Sequence, residues 1–167
     1  MSVIAVKINK NNIVIGSDSI RVRGRTQEKL EFAKLRKVND IVLGSAGMAY
    51  ESSLFFLFCK THKPMSASEE DILSFLSEFQ DWVRKKTGTN SFSMSNHYIL
   101  VYNKIVYRIE NFLIQLVTDY AAIGAGMDYA LSALYLGNTV QKAVETACEL
   151  SIYCEKPVNI IEIDTSE

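Results

Sequence analysis

Two prolines, two histidines, three cysteines and one tryptophan stand in 167 residues, and each scarcity removes a class of protein. So few prolines exclude a proline-rich tract or linker. Cys59, Cys148 and Cys154 are odd in number and none forms a C-x-x-C pair, which argues for buried thiols in a reducing compartment, not a disulfide framework. His62 and His97 lie far apart, without the clustered ligands that zinc catalysis requires. The apolar runs, such as residues 54–59, fall far short of the ~20 residues that span a bilayer. The start MSVIAVKINKNN has neither a basic leader nor a small-residue cleavage site, so no signal peptide is expected and the protein is placed in the cytoplasm. A net charge of −1 without blocks of like charge gives no electrostatic reason for nucleic acid or an anionic membrane as partner. Arg21, Arg23 and Arg25, interleaved with Val22 and Gly24, read as a solvated strand end or loop. Gly124-x-Gly126 has no third glycine and reads as a strand-to-helix turn, not a dinucleotide fingerprint.

What is present suits one compact domain over residues 1–167: 48% hydrophobic residues, with eight Phe and eight Tyr to fill a core. Val and Ile dominate from Val3 to Ile15 and are interrupted at Asn9–Asn12, which predicts a hairpin at the extreme N-terminus. A polar stretch, residues 17–31, leads to Lys34–Val38, then Asn39-Asp40, then Ile41–Ala46, a second hairpin. Residues 48–62 predict a buried apolar helix ending near Pro64. Ser66 or Ser68 caps the next, over Glu69–Lys86, with Ile72, Phe75, Leu76, Phe79, Trp82 and Val83 at helical steps. A surface loop over 87–96 precedes a hairpin of Tyr98–Tyr102 and Ile105–Ile109, and a strand at Tyr120–Ile123. Helices over 126–136 and from a Thr139 cap to Ser151 follow, with Pro157 as the stop and Val158–Ile163 as a closing strand. Strands, two helices, strands, two helices and a strand predict a four-layer αββα sandwich: two antiparallel sheets between helix pairs.

Ser2, Asp18 and Lys34 are spaced sixteen residues apart twice over. With Met1 removed, Ser2 carries a hydroxyl and a free α-amine, and an amine that titrates at about 7.7–8 is a suitable base for its own hydroxyl. A nearby ammonium favours the alkoxide and keeps that amine neutral, and a carboxylate anchors the ammonium.

The segments carrying these residues, together with Leu43-Gly-Ser-Ala-Gly47, Ala122-Ile-Gly-Ala-Gly-Met-Asp-Tyr-Ala130 and the end Ile152-Tyr-Cys154, resemble the proteasome β-subunit family and its bacterial HslV-type peptidases. Residues 50–115 carry little of the likeness. In that family an N-terminal Thr is the nucleophile. The resemblance implies that Ser2 takes this role, with Asp18 and Lys34 completing the site and the Gly44 N–H lining the oxyanion hole, for peptide-bond hydrolysis through an acyl-enzyme. It implies no required cofactor, and a structural cation, sodium or magnesium, on backbone carbonyls near Cys148, Ser151 and Cys154. It also implies stacked rings of six or seven copies, an interface at the apolar helix of Leu54–Phe58, an ATP-driven unfoldase ring as partner, and unfolded polypeptides as substrates. This chain departs from the family pattern in having Ser for Thr, and Ala125 where many relatives have Ser. Two registers stay open. The distances to Asp18 and Lys34 put Ser2 in the nucleophile slot, whereas the apolar pattern of Val3–Val6 puts Met1 there. The alternative is a catalytically silent scaffold or assembly protein, and a small-molecule amidase on the same fold is a third reading.

Overall fold

The computed structural model describes residues 2–23, 26–28 and 33–166, so Met1 and Arg25 lie outside the described residues. Strands β1 (Ile4–Ile8) and β2 (Asn12–Ser17) form the expected hairpin, closed by Asn9 N–H to Asn12 O at 2.8 Å. A short pair, β3 (Arg21–Arg23) and β4 (Thr26–Glu28), follows. Next come β5 (Leu35–Val38), β6 (Ile41–Ala46), α1 (Ala49–Cys59) and α2 (Glu69–Thr87). Strands β7 (His97–Tyr102), β8 (Ile105–Glu110), β9 (Leu113–Val117) and β10 (Tyr120–Ile123) lead into α3 (Met127–Tyr135), α4 (Val140–Leu150) and β11 (Asn159–Asp164).

The strands assemble into one sheet ordered β10-β1-β2-β11 and another ordered β5-β6-β7-β8-β9, every pairing antiparallel. Alternation assigns each strand face to a layer. Ile4, Val6, Ile13 and Ile15 meet Val42, Ile99 and Val101 between the sheets. Val3, Ala5 and Ala122 pack under α3 and α4, and the outer face of the second sheet packs under α1 and α2. This is the αββα sandwich.

The caps follow the sequence. Ser68 Oγ accepts the Asp71 amide at 3.2 Å and Thr139 Oγ accepts that of Lys142 at 3.2 Å. Gly88, at φ 70°, closes α2 in the left-handed conformation. Helix α4 stops at Leu150, well before Pro157, because the chain turns at Ser151, where the Cys154 amide bonds the Ser151 carbonyl.

Strand β9 replaces a connection, because Asn111 and Phe112 both take positive φ (46° and 65°) and close a tight hairpin with β8 that Phe does not advertise. Helix α1 turns its aromatic face into this chain and leaves Tyr50 and Leu57 exposed on the other side. Phe55, Phe56 and Phe58 are buried in this chain's own core, with the Phe55 and Phe79 rings 4.5 Å apart and Tyr98 edge-on to Phe55.

Candidate active site

Asp18 follows directly on β2, and its carboxylate is the hub of the N-terminal end of the sandwich. It is fully buried, and both its oxygens lie 2.8 Å from Lys34 Nζ. The same carboxylate accepts the amides of Val3 (2.9 Å), Ile20 (3.3 Å) and Glu155 (3.4 Å), while the Asp18 amide donates to Val3 O at 3.3 Å. A buried charge is tolerated only when paired and hydrogen-bonded, and here every donor is supplied by a different segment. Lys34 reaches it from the residue before β5, where its carbonyl is held by the Ser45 amide at 2.9 Å. Burial pushes the Lys34 ammonium below the ordinary lysine range, against the opposing pull of the Asp18 charge.

Ser2 is buried beside this pair, next to Val3. Its carbonyl accepts the Gly126 amide at 3.1 Å. Gly124, at φ 93°, passes so close that a Cβ there would stand 2.3 Å from the Ser2 oxygen. Val3 faces α3 and α4 and Ile4 faces the second sheet, so alternation extends the second-sheet face to Ser2, toward the edge that carries Lys34. Ala125 is exposed and brings no hydroxyl to the site.

Gly44 is placed differently from its expected role. It lies inside β6, opposite Leu35 and Ile99. Amides alternate sides along a strand, and that of Ser45 points to β5, so that of Gly44 points to β7 and belongs to the sheet ladder. Its Cα instead makes room for Ile4, whose Cγ2 would stand 2.6 Å from an added Cβ. The same alternation turns the Gly47 amide, one step past the terminal Ala46–His97 pair, to the Lys34 edge. The segment Leu43-Gly-Ser-Ala-Gly47 offers both glycines, and the expectation fell on Gly44, not on Gly47.

Cys148, Ser151 and Cys154 come together at the end of α4 and the following turn, close to the Asp18–Lys34 pair. Burial first, and the Asp18 charge next, push the Cys148 thiol up to about 12 and the Cys154 thiol up to about 11, while burial takes Cys59 to about 12. All three are neutral thiols at pH 7 and unsuited to nucleophilic work. Iodoacetamide at pH 7 is therefore expected to leave the folded chain unlabelled and to add three carbamidomethyl groups after denaturation, counted by mass; rapid labelling of the native protein would contradict this. Among the described residues no group of three or more His, Cys, Asp or Glu is placed to hold a metal ion, and no helix is long and apolar enough to cross a membrane.

Two antiparallel sheets between helix pairs, with the first strand's N-terminus beside a buried Lys–Asp pair, define the N-terminal nucleophile hydrolase class. No family model matches the chain. It is 30% identical to the ATP-dependent protease subunit HslV of Campylobacter lari, over 93% of this chain and 92% of that protein, and it belongs to the HslV family. The fold is shared with solved structures at 16% identity. Thiobacillus denitrificans BPH in complex with epoxomicin superposes with a TM-score of 0.89, covering 99% of this chain and 100% of that one. HslV of Trypanosoma brucei superposes at 0.74, covering 97% and 99%.

Proposed function

We propose that the chain is the peptidase subunit of a self-compartmentalising protease, with Ser2 as nucleophile once the Met1–Ser2 bond is cleaved. The observation that carries the reading is the double duty of Asp18: it grips the Lys34 ammonium with both oxygens and the amide next to Ser2 with one of them. The alternation of Val3 and Ile4 supports the Ser2 register, since it puts Ser2 on the Ile4 face, toward the edge that carries Lys34.

In this mechanism the Ser2 amine takes the hydroxyl proton as Oγ attacks the scissile carbonyl, with Lys34 holding the amine neutral. The oxyanion is met by the Gly47 amide in place of that of Gly44. Collapse passes the proton from the Ser2 amine to the leaving amine and leaves an ester on Oγ. Water, deprotonated by the same amine, then hydrolyses the ester. A Ser nucleophile retains this chemistry, with looser rotamer control than Thr.

Family membership supports assembly into stacked rings of six or seven copies, fed unfolded polypeptide by an ATP-driven unfoldase ring in the cytoplasm. Carbonyls at the end of α4 are left without helical partners, and Ser151 O keeps a second lone pair beyond its bond from Cys154 N. Such oxygens suit a hard cation such as sodium or magnesium. Held there, it would brace the turn whose Glu155 amide reaches Asp18.

The test pairs the intact mass of the assembled, untagged protein with hydrolysis of a fluorogenic peptide. A mass lower by one methionine together with peptide cleavage is expected. Retention of Met1 with no cleavage would replace the peptidase by a silent scaffold.

A further inference from the structure

Helix α1 carries a buried carboxylate that the mechanism does not use. Glu51 is fully buried, and it accepts the Ser95 amide (3.1 and 3.2 Å to its two oxygens), Ser95 Oγ (2.9 Å), the Asn96 amide (3.0 Å) and Tyr98 Oη (2.8 Å). The backbone of 95–96 is thus tied to α1 and cannot pair with Met48, although the β6–β7 register would bring Met48 opposite Ser95. The Asn96 carboxamide takes over that pairing. Its Oδ1 accepts the Met48 amide at 2.5 Å and its Nδ2 donates to Met48 O at 2.9 Å. Nδ2 also reaches Ser52 Oγ at 2.9 Å, which in turn lies 2.5 Å from Ser45 Oγ. Gly47 sits inside this clamp at φ 142°, and a Cβ on it would stand 2.1 Å from Asn96 Oδ1.

We propose that Asn96 is a positioning residue, anchored by Glu51, whose side chain extends the β6–β7 ladder across Met48 and so aims the Gly47 amide at the developing oxyanion. The proposal rests on the peptidase reading for its catalytic consequence, but the clamp itself does not. A side chain can replace a backbone ladder pair because a carboxamide presents a donor and an acceptor with nearly the spacing of a peptide group. The catalytic effect arises because an oxyanion donor acts through fixed orientation, and a displacement of about 1 Å can lower a rate about 10²-fold.

The test compares Asn96→Leu, which keeps the volume and removes both bonds to Met48, with Asn96→Asp, which keeps an acceptor for the Met48 amide. Rates on a fluorogenic peptide are normalised to the fraction of folded subunits. Asn96→Leu is expected to lose about 10²-fold in kcat with KM unchanged, and Asn96→Asp less. Crystal structures should show the Ala46–Gly47 peptide, which carries the Gly47 N–H, displaced along with Met48 in Asn96→Leu. Parental kcat in Asn96→Leu, or a fall in kcat with that peptide unmoved, overturns the proposal. If the parent protein cleaves nothing, the peptidase reading fails by itself, and the crystal comparison still decides the clamp: a displaced peptide supports it and an unmoved one overturns it. Should Asn96→Leu not fold, Asn96→Ala, which also removes both bonds to Met48, carries the same comparison.

Discussion

Lys34→Ala is expected to lower kcat by at least about 10³-fold while leaving a folded, assembled protein. The fold survives because Asp18, though fully buried, keeps the amides of Val3, Ile20 and Glu155 after the ammonium is gone. Breaking a buried pair elsewhere costs about 3–5 kcal/mol, and three remaining donors should hold the loss at or below the lower end. Turnover has no such reserve. Without the ammonium Ser2 loses the charge that favours its alkoxide and keeps its amine neutral, and 10³-fold corresponds to about 4 kcal/mol of transition-state stabilisation. Steady-state kinetics together with a denaturation midpoint separates the two effects, and unchanged kcat would remove Lys34 from the mechanism.

The pH dependence carries the same signature. Because burial lowers the Lys34 pKa from 10.5, activity should fall as pH rises through that lowered value, earlier than an ordinary lysine would deprotonate. Between the lowered folded value and the unfolded one, the unfolded chain binds more protons, so stability relative to Lys34→Met should rise with pH across that window. A difference in stability that falls with pH there would contradict the direction of the shift.

Gly124→Ala is expected to be the most damaging glycine substitution outside the clamp. Two terms act together: a left-handed backbone that Ala enters at about 1–2 kcal/mol, and a Cβ 2.3 Å from the Ser2 carbonyl oxygen and 2.9 Å from its carbon. Backbone, unlike a flexible side chain, cannot swing aside, so the first strand's N-terminus must move away from Lys34. Gly137 isolates the first term, since it has φ 84° and open space around its Cα. Gly137→Ala should therefore lose about 1–2 kcal/mol in unfolding with normal turnover, whereas Gly124→Ala should lose both stability and about 10² or more in kcat. Equal behaviour of the two variants would show that contact with Ser2 does not matter.

Much of this architecture was legible because its causes are local. Asn9–Asn12 and Asn39-Asp40 are turn chemistry, Ser68 and Thr139 are caps, and α2 and α4 display their buried faces at helical spacing. The Asp18–Lys34 pair was also within reach, since each residue stands at the edge of a strand the pattern predicts.

Other features depended on which distant segments met. Leu43-Gly-Ser-Ala-Gly47 offers two glycines that look alike along the chain, and only the register of β6 between β5 and β7 turns one amide into the ladder and the other toward Lys34. Helix α1 reads as apolar nearly all round, and only its packing against α2 and the second sheet shows which side chains, Phe55, Phe56 and Phe58, enter this chain's own core. Glu51, Ser95 and Asn96 are ordinary polar residues with no periodicity to mark them. They become a buried network because two segments more than forty residues apart close on one another, and burial makes every unpaired polar group expensive. Turns, caps and amphipathic faces are settled within one or two turns of chain, so the amino-acid order determined them. The direction of a single amide and the partner of a buried carboxylate are settled by contacts across the sandwich, and only the tertiary structure decided those.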